Sequence, residues 1–391
     1  MRTYPEHLDA VRAACQPRLT HRIPLADAAG ATLATPLTAA VPQPPFDNSQ
    51  MDGYALATTA GGVFTVGPTI AAGADVPVHA GVGVAHPIMT GAKVPEGTAC
   101  IIPVEAGSPD HFQDEGAQVT LPGAPEGQFI RRTGSDASEG ALLIPDCTRL
   151  GPVAMAVLAS QNIAEVEVVD PARILIVTGG AEIGKPGAAT IPDSNGPLLS
   201  AAAAEAGIRV LDRVRTNDDP QALAADLRAA IAQHRPDAVV TSGGISHGKF
   251  EVIRQVLGAA TPNWFGHVAQ QPGGPQGLST FAGVPVISLP GNPISTLVSF
   301  RLYVAPILGD APAHRSAIAG ADMPGLPTKD QFLRGTLRTD GTQLVADPVG
   351  GTSSHLLSQA VAANCLIRIP AASPVAAGST VEVLPFPHAL A

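Results

Sequence analysis

The sequence predicts a multidomain chain of the α/β plus β class. Its centre is a three-layer α/β domain with a parallel-rich sheet, flanked by β-rich segments. Three observations carry that reading. From Arg173 to about residue 312, short apolar runs alternate with helix-like stretches, the order expected of parallel strands joined by crossover helices. From about 46 to 140, and again from about 313, short apolar runs lie between Gly and Pro turns, as in β domains. The 391 residues are long enough for about two to four domains, and 41 glycines and 38 prolines punctuate them.

The elements follow in order. Leu8, Val11 and Cys15 stand at helical spacing and predict a short amphipathic helix. From Ala31 to Pro45 the chain is extended and proline-rich. Gly62-Val63-Phe64-Thr65-Val66 and Ala99-Cys100-Ile101-Ile102-Pro103-Val104 read as strands, as does Ala164-Glu165-Val166-Glu167-Val168-Val169, which is expected to close back on the N-terminal segment. At Arg173 the pattern changes. Ile174-Leu175-Ile176-Val177 is a continuous apolar run, as in a strand buried on both faces. A helix is predicted over Gly196–Ala206, stopped by Gly207, and a strand over Ile208–Val214. Asp218-Asp219-Pro220 opens a helix with Leu223, Leu227 and Ile231 on one face; an acid cap and an early proline are good start signals. Ala238-Val239-Val240 leads into Thr241-Ser242-Gly243-Gly244, and a helix is predicted around Phe250–Leu257. Val284–Leu289 runs into Pro290-Gly291-Asn292-Pro293 and a further helix. Beyond residue 313, runs such as Gln343–Ala346 and Thr380–Leu384 predict a small separate barrel.

Composition excludes several classes. The net charge is −10, and no Lys/Arg run supplies a stripe that could track phosphates, so nucleic acid is not an expected partner. No uncharged run approaches the roughly 18–20 apolar residues needed to cross a bilayer, so no membrane partner is expected. The start Met1-Arg2-Thr3-Tyr4-Pro5-Glu6-His7 has no apolar signal core. Cys15, Cys100, Cys147 and Cys365 are too far apart for a metal knuckle or a disulfide framework. A cytoplasmic protein with reduced thiols is the expectation.

In open parallel sheets, ligands bind at the carboxyl ends of the strands. Four unusual loops fall there: Thr178-Gly179-Gly180-Ala181-Glu182, Thr216-Asn217-Asp218-Asp219, Thr241-Ser242-Gly243-Gly244-Ile245-Ser246 and Leu289-Pro290-Gly291-Asn292-Pro293. Glycines let backbone amides approach an anion, and helix N-termini add partial positive charge. Together they predict a phosphate-bearing or oxyanion ligand. The chain has neither a phosphate-loop lysine motif nor a GxGxxG after a strand, which argues against ATP and NAD, and so against a kinase or dehydrogenase. Asp52, Asp136, Glu182, Asp193, Asp218 and Glu251 lie beside glycines or helix starts. Carboxylates in such places cap helices and form turns, and beside a phosphate they can also hold Mg²⁺.

These residues also carry a family resemblance. Pro44-Pro45-Phe46-Asp47-Asn48-Ser49-Gln50-Met51-Asp52-Gly53-Tyr54-Ala55 resembles the signature of the molybdopterin molybdenumtransferases, the family of MoeA and the E domain of gephyrin. Ile88-Met89-Thr90-Gly91-Ala92-Lys93-Val94-Pro95-Glu96-Gly97, followed by Glu105, looks like its next block, and Ile130-Arg131-Arg132-Thr133-Gly134-Ser135-Asp136 like its arginine–glycine–acid block. Asp193-Ser194-Asn195, Ser242-Gly243-Gly244-Ile245-Ser246 and Leu289-Pro290-Gly291-Asn292-Pro293-Ile294-Ser295 complete the set. The matches run in order along nearly the whole chain.

The resemblance implies four domains: a linker domain of residues 1–45 with 141–170, a β-rich insertion domain of 46–140, a molybdopterin-binding α/β domain of 171–312 and a C-terminal β-barrel domain of 313–391. It implies a homodimer with its cleft between subunits, and molybdenum cofactor biosynthesis as the function. In that reaction molybdate is inserted into adenylylated molybdopterin, AMP is released, and Mg²⁺ or Zn²⁺ takes part. The molybdopterin adenylyltransferase and molybdoenzymes are the implied protein partners. Carried over by motif, Asp52, Thr90, Asp136, Glu182 and Asp218 are expected catalytic positions, and Asp52, Asp136, Glu182 and Glu251 expected metal ligands. Asp193, Ser194, Asn195, Ser242, Gly243, Gly244, Ser246, Lys249, Pro290, Gly291, Asn292, Pro293, Arg334 and Ser354 are expected to bind the substrate, the last two from the barrel.

The chain departs from the family pattern at three places. Thr178-Gly179-Gly180-Ala181-Glu182-Ile183 stands where the family reads Thr-Gly-Asp-Glu-Leu, so one carboxylate becomes Ala181. Ser246-His247-Gly248-Lys249-Phe250-Glu251 replaces Ser-Val-Gly-Asp-Tyr-Asp, which reverses one charge. Pro272-Gly273-Gly274-Pro275 replaces Pro-Gly-Lys-Pro, which removes a cation; Lys249 is the expected replacement for it. These changes leave open an alternative, a diverged non-catalytic paralogue that holds molybdopterin or a partner as a scaffold.

Overall fold

The computed structural model describes residues 1–74, 79–179, 192–216, 219–245, 252–258 and 262–387. The chain divides into two compact units, Thr20–Val169 and Met1–Leu19 with Asp170–Ala391.

In the first unit, Thr20–Pro24 pairs antiparallel with Glu165–Val169. Around this ribbon Leu33, Ile144, Leu150, Leu158, Val166 and Val168 form one buried cluster. A five-stranded sheet follows, in the order Cys100–Pro103, Gly53–Leu56, Val84–Ile88, Gly62–Val66, Gln118–Leu121. Its inner face buries Tyr54, Leu56, Val66, Ile102 and Leu121. The glycine of the Met51-Asp52-Gly53-Tyr54 motif has a packing reason. A Cβ at Gly53 would lie 2.2 Å from the carbonyl oxygen of Ile102 on the neighbouring strand.

The second unit holds the α/β layers. Its six-stranded sheet runs Arg209–Arg215, Arg173–Thr178, Ala238–Ser242, Val284–Leu289, Pro275–Phe281, Asn263–His267. The first four strands are parallel and the last two add antiparallel. Side chains of a strand alternate between faces, and this alternation sorts the core. Ile174 and Ile176 pack with Leu199, Ala203, Ile294 and Val298 of the helices Asn195–Glu205 and Pro293–Ser299. Leu175 and Val177 pack with Leu223, Leu227, Ile253 and Leu257 of the helices Pro220–His234 and Val252–Gly258. The sheet is therefore the middle of three layers, as the unbroken apolar run 174–177 predicts. The antiparallel pair Asn263–His267 and Pro275–Phe281 carries no strand signal in the sequence, because Gln276, Gly277 and Ser279 break any apolar alternation.

The predicted N-terminal helix spans Tyr4–Ala14, opened by a capping box between Thr3 and Glu6. It belongs to this second unit, where Tyr4 and Val11 join the core beside Tyr303 and Phe332. Beyond residue 314 the strands Asp330–Asp340, Gln343–Pro348, Arg315–Ala319, Thr380–Pro385 and Cys365–Ile369 pair in that order. Pairing of Cys365–Ile369 with Asp330–Asp340 closes them into a five-stranded barrel. Among the described residues no helix is long and apolar enough to cross a membrane.

Candidate functional site

The loops flagged in the sequence leave the carboxyl ends of the four parallel strands and lock onto one another. The Thr216 amide donates to the Thr178 carbonyl at 3.0 Å, and the Gly243 amide to the Leu289 carbonyl at 3.1 Å. Glycine is required at these crossings. Gly243 has φ +89°, and a Cβ on Gly291 would come 3.1 Å from the Gly243 Cα. Two bare backbones can pass that closely and two side chains cannot.

Around this crossing the expected binding residues fall into two groups. Several hold hydrogen bonds inside the protein. Asp193, at the start of the helix Asn195–Glu205, accepts the Gly196 amide and the Thr178 hydroxyl, both at 3.0 Å. The Ser242 hydroxyl is buried and donates to the Pro290 carbonyl at 3.1 Å, and Thr296 donates to the same carbonyl at 2.6 Å. Asn292 caps the helix Pro293–Ser299 by accepting the Ile294 amide. These side chains shape the loops. Others remain open. Ser194 is exposed. Asn195 is buried and donates to the Gly291 carbonyl at 2.7 Å, yet its Oδ1 has no partner.

The Pro290 loop forms one wall of a cleft of about 550 Å³. The segment 271–275 forms a second wall, and Thr352, Ser353, Ser354 and His355 from the barrel a third. The middle wall is held from below by buried amides. Gln270 donates to the Pro272 carbonyl at 3.0 Å, and Gln276 to the Gly273 carbonyl at 2.7 Å. The barrel wall is held by Arg334. This guanidinium is 5% exposed and donates to the carbonyls of Gly351, Ser353 and Leu356. Ser354 thus lines the cleft, while Arg334 braces the loop that carries Ser354.

In the first unit Asp52 and Thr90 meet. Both the amide and the hydroxyl of Thr90 donate to Asp52 Oδ1 at 2.7 Å. These two bonds hold the exposed Asp52 carboxyl below the usual carboxylate range. The Asp52 segment is bolted to the Asp136 segment by Asp47. Its oxygens take the Arg132 guanidinium at 2.7 Å and the Thr133 amide at 2.8 Å. Asp136 is exposed, and its amide donates to the Gln43 carbonyl at 2.9 Å.

Glu182, Asp218, Ser246, Lys249 and Glu251 lie outside the described residues. Of the four expected metal ligands this leaves Asp52 and Asp136. Among the described residues no three His, Cys, Asp or Glu side chains converge as a metal cage. The described donors alone do not fit a bound Mg²⁺ or Zn²⁺.

Two exposed arginines that the motifs do not include, Arg213 and Arg215, lie on the edge strand. Arg215 ends the edge strand, opposite Thr178 in the parallel register. It sits immediately before the Thr216 loop, and that position was the available signal. Arg213 Nη1 lies over Gly196, where an added Cβ would be 3.2 Å away.

The geometry can be set beside known proteins. Residues 2–161 match the MoeA N-terminal region (domain I and II), 174–310 a probable molybdopterin binding domain, and 316–386 the MoeA C-terminal region (domain IV). Molybdopterin molybdenumtransferase 2 of Mycobacterium tuberculosis (strain H37Rv) is 34% identical over 416 residues, covering 98% of this chain and 99% of that one. The molybdopterin molybdenumtransferase of Haemophilus influenzae is 31% identical over 401 residues, covering 96% of each. A crystal structure of the molybdopterin biosynthesis MoeA protein from Pyrococcus horikoshii superposes with a TM-score of 0.80 at 26% identity, covering 98% of both chains.

Proposed function

Because the chain belongs to the molybdopterin molybdenumtransferase (MoeA) family, and so is a transferase of molybdenum cofactor biosynthesis, we propose that it inserts molybdate into adenylylated molybdopterin and releases AMP. The observation that carries the reading is the cleft at the carboxyl edge of the sheet, with close-packed glycine loops on one side and hydroxyls from the barrel on another. Backbone amides and hydroxyls are suited to a ligand that combines a pterin ring with phosphates.

The chemistry sets what the residues must do. Water attacks the phosphoanhydride, the bond to AMP breaks, and the pterin keeps its own phosphate. The two dithiolene sulfurs then take molybdenum from molybdate, whose displaced oxygen leaves as water. Asp52 is a poor store for the proton, since its carboxyl is held below the usual range. A weak base in a fixed orientation serves instead to orient a water or a ligand hydrogen through Oδ2, while Thr90 fixes Oδ1. We assign Asp136 to the same anhydride end and Ser194, Asn195 and Ser354 to the pterin. The working form is proposed to be a homodimer.

Purified protein incubated with adenylylated molybdopterin and molybdate should release one AMP per molybdenum cofactor formed. Asp52→Ala should fold normally and lose about 10²-fold in rate, the scale of a misplaced reacting group. No AMP from folded wild-type protein refutes the proposal. If the pterin still binds in that case, the chain is a scaffold.

A further inference from the structure

We infer that Arg215 is the cation that receives the anionic end of the pterin ligand, on the premise of the reaction just proposed. The first argument is position. Arg215 is the last residue of the edge strand Arg209–Arg215 and pairs in register with Thr178, so it stands at the carboxyl edge where the glycine loops converge.

The second argument is availability. The Arg215 side chain is 67% exposed, and its Nη2 lies 3.9 Å from Asp193 Oδ2, beyond hydrogen-bonding distance. Asp193 is itself 6% exposed and already accepts the Thr178 hydroxyl and the Gly196 amide. The carboxylate therefore steers the guanidinium without occupying its donors.

The third argument is charge. A phosphate or diphosphate has to approach an edge that already carries Asp193 and Asp219, the latter capping the helix Pro220–His234. The described cleft lining contains no lysine or arginine. Arg334 is turned inward to three carbonyls, and Arg213 lies over Gly196. Arg213 and Arg215 are both exposed on the edge strand, and Arg215 is the one that adjoins the Thr216 loop at the carboxyl edge. A guanidinium fork matches phosphate oxygens in pairs, and such charge-assisted bonds are roughly twice as strong as neutral ones. The edge arginine thereby supplies the attraction that the acids beside it oppose.

The test is equilibrium binding to the full-length protein. The probes are adenylylated molybdopterin, molybdopterin, and molybdopterin with its phosphate removed. Arg215→Ala should weaken the two phosphorylated ligands about tenfold, or about 1.4 kcal/mol, and leave the dephosphorylated one unchanged. Arg215→Lys should recover part of the loss, because it keeps the charge without the fork. Arg209→Ala, at the opposite end of the same strand, should bind like wild type. Affinity for the phosphorylated ligands should also fall less steeply with salt in Arg215→Ala than in wild type. Equal affinity of wild type and folded Arg215→Ala for the phosphorylated ligands overturns the role of Arg215 and leaves the proposed reaction standing. Failure of the wild type to bind any of the three overturns both.

Discussion

At the residue scale, His7 shows how burial sets chemistry. It lies on the N-terminal helix and is completely buried, with its ring 4.6 Å from Tyr303 and 5.0 Å from Trp264. Arg2 stacks over the same tryptophan at 4.0 Å and reaches His7 Nδ1 at 3.3 Å. Burial, and then the Arg2 charge, push the His7 pKa down to about 3 from 6.5. The folded state therefore prefers the neutral ring. Its contribution to stability is complete above pH 6.5 and drains away as pH falls toward 3. Between pH 8 and pH 5 this one group should cost about 2 kcal/mol of unfolding free energy. Urea melts of wild type and His7→Phe at both pH values measure it: the variant should lose correspondingly less on acidification, and parallel losses would contradict the argument. The sequence names His7 only as the last residue of a start without an apolar signal core. Its burial depends on Trp264 and Tyr303, more than 250 residues away, so no local pattern could announce it.

At the scale of elements, the site is a set of loops held by side chains that do not themselves face the cleft. Arg334 is the clearest case. The resemblance placed it among substrate-binding residues, whereas its donors go to the carbonyls of Gly351, Ser353 and Leu356. Arg334→Met keeps the length of the side chain and removes the donors. It should destabilise the protein by about 1.5–3 kcal/mol, the range for hydrogen bonds to a charged group, and speed proteolytic nicking within 351–356. A urea midpoint and a cleavage pattern both matching wild type would show that the loop stands without it. The strands and helices around the site were readable from apolar period and start signals, with shifts of one or two residues at their ends. The antiparallel strands Asn263–His267 and Pro275–Phe281 were not, because the buried faces of Gln276 and Ser279 are polar and the period-2 signal is lost.

At the scale of the whole molecule, the chain makes two units, each with its own core. Thr20–Val169 is a continuous stretch containing three buried clusters, around Leu33, Tyr54 and Ile88, with no member from outside it. Cut out as residues 20–169, it should fold alone with a single cooperative thermal transition and strand-rich circular dichroism. A broad, non-cooperative melt would mean that its core depends on the rest of the chain.

The sequence by itself determined the class of the fold, the parallel strands of the α/β layers and the loops that leave them. Those features rest on local causes: apolar period, helix caps, glycine and proline turns. The family, too, was legible, because its motifs are contiguous. The tertiary structure decided which of the polar residues in those motifs are spent. Asp193, Ser242, Asn292 and Arg334 hold hydrogen bonds within the fold, whereas the Arg215 side chain is 67% exposed. A side chain's free donors and acceptors depend on what the rest of the chain brings within about 3 Å of it, and that is a property of distant residues packed together.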